Sequence, residues 1–445
     1  MLSAGFLWGC SPAPRPVKND VIDKEVDAVT DVDRPMDLSH HQDPTDKIRD
    51  ELVTHAETSE VSKEISFGDI IDYLDGLTEI TKPAAPTPPM ANLFSELPCG
   101  FPASIRIDDE SQKVFVTCET TKGSLQERSL IGGVNSPWKS FEEFDGRPSN
   151  HVILSGGYHL ITRSSPDGFV LINDVSRKIS DEVIFSKEYI ADKNGKPLAF
   201  LPNMPSGAAL IKDNVCIVTS NMDHIDMDPL KSTHNEGTLI CFSYDGFGAV
   251  VHDASTAYYT GGINPTAVAP MDSDKLAVLC SNGFNPNQKT QLSVDIFSFP
   301  SGDKISHTMA SDDRRPLTGI ISPEMPISQD GAILVGLQKP SNAVAGIDAQ
   351  SGDRIFKLEL GEVESFISSL QIFGNVAAAS DFGLFGSTGK VIFFNTAEDG
   401  WDGTVETKLP ANPGPATIFD GVLYQTATDA SMGGAIYEVD LSGMN

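Results

Sequence analysis

Short apolar runs alternate with turn residues along most of the chain, from Cys99 to its C-terminal end. Runs such as "NVCIVTS" and "KLAVLCS" contain many β-branched residues and are bounded by Asp, Asn, Gly and Pro. A short apolar run between turn residues is typical of a strand that is buried on both faces. No helical period is visible in this part. The pattern therefore predicts an all-β domain over residues 90–445.

One unit recurs within this domain. It begins with a proline and small residues, continues as a strand, a polar turn and a second strand that ends in Thr, Ser or Cys, and closes with a third strand after a variable loop. Seven copies can be aligned, at residues 99–121, 151–180, 204–246, 264–307, 325–360, 367–400 and 412–443. Repeats of this length, each with the same order of strands and turns, predict a seven-bladed β-propeller with insertions in its loops.

The copies resemble the YVTN-type β-propeller repeats of bacterial surface and periplasmic proteins. The best matches are "IVTSN" at residues 217–221 and "LSVD" at residues 292–295. The resemblance covers about three quarters of the chain and implies the fold. It implies no particular activity, because this fold carries enzymes, binding proteins and scaffolds.

The last copy contains only three clear strands. A propeller must protect the edges of its sheets. We therefore expect a strand from residues 90–97, just before Cys99, to complete the last blade.

The N-terminal residues differ from the rest. Leu7-Trp8-Gly9-Cys10 resembles a bacterial lipobox, which implies that Cys10 is lipidated after a truncated signal segment at residues 1–10. The alternative is an apolar N-terminus with a chance cysteine. Residues 11–89 are acidic and proline-rich, which predicts a largely disordered tether. Within the tether, the apolar spacing over residues 66–80 predicts one short amphipathic helix.

The formal net charge of −30 makes some classes of binding partner unfavourable. Such a field repels nucleic acids and anionic lipid surfaces. Nucleic acids and acidic membrane surfaces are therefore not expected as partners. The lipobox and repeat resemblances imply a protein of the bacterial cell envelope, on the outer membrane, in the periplasm or at the cell surface, that contacts the membrane only through the lipid anchor. We expect it to be a monomer. Its expected partner is an envelope or surface protein, or a neutral glycan.

The six cysteines form no C-x-x-C pair. Cys99 and Cys118 flank one predicted strand pair, so they are the candidate disulfide. Cys216, Cys241 and Cys280 each lie inside an apolar run, where cysteine behaves as a small hydrophobic residue.

Two sets of polar residues are candidate sites. The loop at residues 222–236 is rich in potential ligands for a divalent metal, although their spacing matches no defined motif. They are Asp223, His224, Asp226, Asp228, His234 and Glu236. Small polar residues near the blade starts would line a central channel or ligand face, or simply form turns. They are Ser104, Ser206, Asn264, Thr266 and Asn412.

The sequence contains no G-x-S-x-G, H-E-x-x-H or C-x-x-C-H motif. This pattern favours a binding or scaffold propeller without a cofactor over an enzyme. The alternative is a propeller hydrolase of the lactonase or glycan-active type, with a metal in the loop or in the central channel.

Overall fold

The computed structural model describes residues 82–444, except for short gaps. The gaps are residues 120–121, 133–135, 225–230, 282–284, 286–291, 310–324, 329, 338–341, 362–366, 384–388, 398–399 and 430–432. The predicted lipobox, tether and helix over residues 66–80 lie outside the described residues. Within the described part all regular structure is β, and no helix is long and apolar enough to cross a membrane.

The chain forms a seven-bladed β-propeller, as predicted from the repeats. Strand β1 (Ala91–Glu96) comes before the first blade. Blade 1 contains β2 (Pro102–Asp108), β3 (Lys113–Glu119), β4 (Gly123–Ser129) and β5 (Lys139–Ser140). Blade 2 contains β6 (Arg147–Leu154), β7 (Tyr158–Ser164), β8 (Gly168–Asn173) and β9 (Ile179–Ile184). Blade 3 contains β10 (Ala191–Asp192), β11 (Pro205–Ile211), β12 (Asn214–Thr219), the inserted hairpin β13 (Met222–His224) and β14 (Thr233–His234), β15 (Glu236–Tyr244) and β16 (Val250–Ile263).

The remaining blades repeat the antiparallel order. Blade 4 contains β17 (Pro265–Asp272), β18 (Lys275–Cys280), β19 (Ser293–Ser298) and β20 (Lys304–Met309). Blade 5 contains β21 (Ala332–Leu337), β22 (Asn342–Asp348) and β23 (Arg354–Gly361), and Ile327 bridges to Ile333 at its inner side. Blade 6 contains β24 (Ile367–Phe373), β25 (Val376–Asp381), β26 (Lys390–Asn395) and β27 (Val405–Lys408). Blade 7 contains β28 (Asn412–Phe419), β29 (Val422–Asp429) and β30 (Gly433–Asp440).

The core lies between the blades. In β18, Leu276 and Val278 pack toward blade 3, whereas Ala277 and Leu279 pack toward blade 5. Successive side chains of a strand point to opposite faces, and here a neighbouring blade covers each face. This arrangement explains why the strands appear in the sequence as continuous apolar runs.

Strand β1 closes the ring. It pairs antiparallel with β30 as the outermost strand of blade 7, with Ala91 opposite Val439 and Glu96 opposite Ala435. At the inner side, β2 of blade 1 lies beside β28 of blade 7. The closing strand predicted from residues 90–97 is therefore confirmed.

Two disulfides lie within the blades. Cys99 is bonded to Cys118, the pair that flanks the first predicted strands. Cys216 is bonded to Cys241, its direct partner across β12 and β15. The interpretation of Cys216 and Cys241 as separate small hydrophobic residues is therefore wrong. Their apolar runs are adjacent strands whose register brings the two side chains together. Cys280 is a free, buried thiol.

Removal of the Cys216–Cys241 bond should destabilise the propeller. The bond closes a loop with a sequence separation of 25 residues. A loop of this size gives about 3–4 kcal/mol of stabilisation through the entropy of the unfolded chain. We expect the double variant Cys216→Ala, Cys241→Ala to unfold at lower urea concentration than the wild type. An unchanged unfolding midpoint would mean that the bond does not stabilise the native chain.

Candidate functional site

The two faces of the propeller carry different connections. Links from the second to the third strand of a blade, and from one blade to the next, emerge on one face, here called the loop face. Links from the first to the second strand and from the third to the fourth emerge on the opposite face, here called the turn face. The hairpin of β13 and β14 is inserted between the second and third strands of blade 3, so it belongs to the loop face.

The predicted metal ligands separate into three groups. Asp223 and His224 are exposed on β13, while Asp226 and Asp228 lie outside the described residues. His234 is only 9% exposed. Glu236 accepts a hydrogen bond from the backbone N–H of Gly261 over 2.7 Å. Among the described residues, no three His, Cys, Asp or Glu side chains converge as a metal site.

His234 anchors the base of the hairpin. Its Nδ1 lies 3.2 Å from the carbonyl oxygen of Ser220. A carbonyl oxygen only accepts, so Nδ1 is the protonated nitrogen in this contact. Burial lowers the pKa of His234, which keeps the imidazole neutral at physiological pH. The residue therefore holds β14 against the end of the second strand of blade 3.

Asn221 is the second anchor, and its role was not recognised from the sequence. It adopts a left-handed conformation with φ of 53°. Its Nδ2 donates to the carbonyl oxygen of Glu236 over 2.8 Å, and its Oδ1 accepts from the N–H of Asn203 over 3.1 Å. Asn tolerates this conformation better than most residues. Asn221, the asparagine of "IVTSN", therefore joins three chain segments by hydrogen bonds at the base of the hairpin.

The hydrogen bonds at the base of the hairpin extend into blade 4. Ser220 Oγ donates to Asn264 Oδ1 over 2.7 Å, and Asn264 Nδ2 donates to Ser281 Oγ over 2.8 Å. Asn264, one of the predicted channel residues, therefore joins the loop-face ends of two blades. The exposed residues Asp223 and His224 of β13 are therefore carried on a hydrogen-bonded base.

The other predicted channel residues lie mostly within the blades. Ser206 is buried, and its Oγ donates to the carbonyl oxygen of Pro265 in the next blade over 2.5 Å. Ser104 is also buried, and its Oγ lies 2.7 Å from Thr117 Oγ1. Thr266 Oγ1 is buried and has no hydrogen-bond partner among the described residues. Asn412 is half-buried at the start of β28.

The hydrogen bond from Ser206 to the next blade has counterparts in two other blades. Ser149 Oγ donates to the carbonyl oxygen of Pro205 over 2.6 Å, and Ser368 Oγ donates to that of Pro413 over 2.7 Å. In each case a serine of the innermost strand bonds to the proline that begins the next blade. The Pro-small start of the repeat therefore serves to join adjacent blades.

A buried polar network between blades 1 and 2 gave no signal in the sequence. His151 and His159 are both buried, with His151 Nε2 3.0 Å from His159 Nδ1. His159 Nε2 lies 3.7 Å from Asp174 Oδ1. The neighbouring imidazole of His159 is the main cause that lowers the pKa of Asp174 to about 2, and Lys113 acts in the same direction.

Three ion pairs continue this network. Lys113 Nζ lies 3.1 Å from Glu127 Oε2 and 3.1 Å from Asp174 Oδ2. Arg177 of blade 2 pairs with Glu127 of blade 1. The charges are thus paired across the blade interface, which is the condition under which buried charges are tolerated.

Blade 4 contains the one free thiol among the described cysteines. Cys280 Sγ lies 3.8 Å from Asp295 Oδ2, and His307 Nδ1 lies 2.5 Å from Asp295 Oδ1. The carboxylate stands between the thiol and the imidazole, whereas a nucleophilic triad needs the imidazole in the middle. Burial raises the pKa of Cys280 to about 12, so the residue is a neutral thiol.

A shallow pocket of about 340 Å³ lies where β1 meets blade 1. The guanidinium of Arg128 sits 5.0 Å from the ring centre of Phe94 and 5.8 Å from that of Trp138. Trp138 Nε1 donates to the carbonyl oxygen of Glu96 over 2.8 Å. These contacts attach the closing strand to blade 1, so their evident role is structural.

Comparisons with known proteins define the fold. No family model and no curated protein matches the sequence. Solved structures similar to this chain include the following three. Streptogramin B lyase has a TM-score of 0.53 and 14% identity, covering 79% of this chain and 97% of that one. The Cps50 (Swd1) β-propeller domain of Myceliophteria thermophila has a TM-score of 0.52 and 12% identity, covering 78% and 99%. U3-55K has a TM-score of 0.54 and 10% identity, covering 80% and 100%. At these identities the similarity establishes a shared β-propeller fold, which is known to carry unrelated functions.

Proposed function

We propose that this protein is an extracytoplasmic binding or scaffold β-propeller of the YVTN type, tethered to a bacterial membrane by a lipidated Cys10. The anchored hairpin on the loop face is the observation that carries the binding role. His234, Asn221 and Asn264 fix its base, while Asp223 and His224 stay exposed. A contact surface on a preorganised base loses little conformational entropy on binding.

The two disulfides support the extracytoplasmic location. Disulfides persist in oxidising compartments and are rare in the cytosol. The bonds Cys99–Cys118 and Cys216–Cys241 fit a protein that works outside the cytoplasm. The net charge of −30 favours an envelope protein or a neutral glycan over nucleic acid or anionic lipid as the partner.

Lipidation can be tested in cells. We expect a bacterium that expresses the chain to incorporate labelled palmitate into the wild type but not into a Cys10→Ser variant. The Cys10→Ser protein should appear in the soluble periplasmic fraction. Equal labelling of both proteins, or none of either, would contradict the anchor.

The binding role is tested against the hydrolase alternative, in which a metal sits in the loop or channel. We expect purified wild-type protein to hold no stoichiometric metal by plasma mass spectrometry. We also expect a His224→Ala variant to keep its melting temperature but to lose an envelope partner that the wild type retains by crosslinking. Ile355→Ser, an exposed change far from the hairpin, is the matched control. One metal ion per chain, lost on His224→Ala and His234→Ala, would favour the hydrolase.

A further inference from the structure

The turn face carries large apolar side chains at the tips of consecutive blades. Val175, between β8 and β9, is 89% exposed, and Phe247, between β15 and β16, is 83% exposed. Ile131, after β4 of blade 1, is 78% exposed. Turn tips normally carry polar residues, and exposure of this much apolar surface on adjacent turns is characteristic of an interaction site.

The turns that carry Val175 and Phe247 both pack against the turn that precedes β7. The N–H of Asp174, next to Val175, donates to the carbonyl oxygen of Gly157 over 2.9 Å. The Tyr158 ring lies so close to Gly248, beside Phe247, that a Cβ atom there would come within 2.1 Å of it. The turn at residues 156–157 thus lies between Val175 and Phe247.

Local hydrogen bonds fix the conformation of each tip. Asp245 Oδ1 accepts from the N–H of Phe247 over 2.7 Å and from that of Ala249 over 3.1 Å. Asn173 Oδ1 accepts from the N–H of Ser176 over 2.8 Å. The apolar side chains are therefore presented by ordered turns, which reduces the entropic cost of binding a partner.

The charge around these tips defines the kind of partner. The same carboxylate cap recurs on the turn face in other blades, at Asp108, Asp272, Asp348 and Asp440. Backbone hydrogen bonds lower the pKa of Asp348 and Asp440, which keeps these side chains ionised. Lys178 and Lys212 also lie on this face, so the basic residues of a partner would meet the carboxylates of the other turns rather than the tips themselves.

We infer that Val175 and Phe247 form the apolar centre of a docking site on the turn face, and that its occupant is a cationic amphipathic segment of another protein. The apolar tips contact the apolar side of the segment, and the ring of aspartates attracts its basic residues. This surface lies on the face opposite the hairpin. A protein that used both faces could hold two partners at once.

The test uses the full chain and a fluorescent 18-residue helical peptide of Lys and Leu, followed by anisotropy. We expect the wild type to bind it and Phe247→Ser to bind it at least about tenfold more weakly, as for an interface anchor. Val175→Ser should cause a smaller loss. Phe101→Ser, an exposed apolar residue between β1 and β2, is the matched control and should bind as the wild type does. His224→Ala should also leave peptide binding unchanged, which separates this site from the hairpin.

Other outcomes would overturn the proposal. Equal affinity of the wild type and Phe247→Ser, or equal binding of an all-Lys peptide, would mean attraction by net charge alone. A dimer in sedimentation velocity that Phe247→Ser abolishes would make a second copy of the chain the occupant. Binding to phosphatidylcholine vesicles that is lost in Phe247→Ser would make it a lipid surface. Asp272→Asn removes one of the turn-face charges but keeps an acceptor for the N–H of Asp274, so this second variant should weaken peptide binding without loss of folding.

Discussion

A chain that begins at Cys99 is expected to melt far below the full-length protein, or to fail to fold. It lacks β1, the outermost strand of blade 7, and therefore leaves the outer edge of β30 unpaired from Ala435 to Val439. It also loses Phe94, which is buried and meets Tyr424 edge-to-face with ring centres 5.4 Å apart. An open sheet edge also promotes aggregation, so the shortened chain should precipitate on heating.

A substitution of Phe94 distinguishes the side-chain packing of β1 from its backbone pairing with β30. Phe94→Ala keeps the backbone of β1 but removes a buried ring, which costs about 3–5 kcal/mol in protein cores. Met90→Ala is the control, because Met90 is exposed next to the same strand. Thermal and urea unfolding should show a large loss for Phe94→Ala and almost none for Met90→Ala. If the shortened chain and Phe94→Ala both melt like the wild type, β1 does not close the ring in solution.

The closing strand was predictable because it follows from a general constraint. The last repeat had three strands, and the unpaired edge had to be covered by a segment that precedes the first repeat. The blade count was predictable for a similar reason, since each blade repeats the same order of strands and turns. Such properties depend on the kinds of residues along the chain and not on the register between strands.

Register explains what the sequence could not reveal. Cys216 and Cys241 lie directly opposite each other across β12 and β15, but a shift of one residue would have put them on opposite faces. His234 was considered as a ligand because it lies in an acidic loop, yet its contact with Ser220 depends on how the hairpin folds back. The network of His151, His159 and Asp174 joins residues that are distant in the chain and match no motif.

The network of His151, His159 and Asp174 is expected to lower the free energy of unfolding as the pH falls below about 6.5. Burial is the main cause that lowers the pKa of His151 well below its ordinary value, and the charges of His159 and Arg106 act in the same direction. The folded protein therefore keeps His151 neutral, while the unfolded chain takes up a proton below about pH 6.5. The unfolded state then binds more protons, so stability must fall as pH decreases, by about 1.4 kcal/mol per pH unit for one histidine.

The loss begins at the unfolded pKa and continues down to the folded pKa of His151. Asp174, at about 2, is also stabilised in its charged form, but its contribution is lost only near and below the ordinary range of carboxyl groups, around pH 4. The interval from about pH 6.5 to 4.5 therefore reports mainly on buried histidines, with His234 adding to the effect in the same direction. Lys113, whose pKa is raised, keeps its charge across that interval.

Urea unfolding at half-unit pH steps measures this slope. His151→Gln can still hydrogen-bond to His159 but cannot take up a proton, so its free energy of unfolding should vary less between pH 6.5 and 4.5 than that of the wild type. Its absolute stability at pH 7.5 is compared separately, because the substitution also changes packing against Phe115. His224→Gln, on the exposed hairpin, is the control and should keep the wild-type slope. Parallel pH profiles for the wild type and His151→Gln would show that the imidazole of His151 is not the buried group that destabilises the propeller in acid.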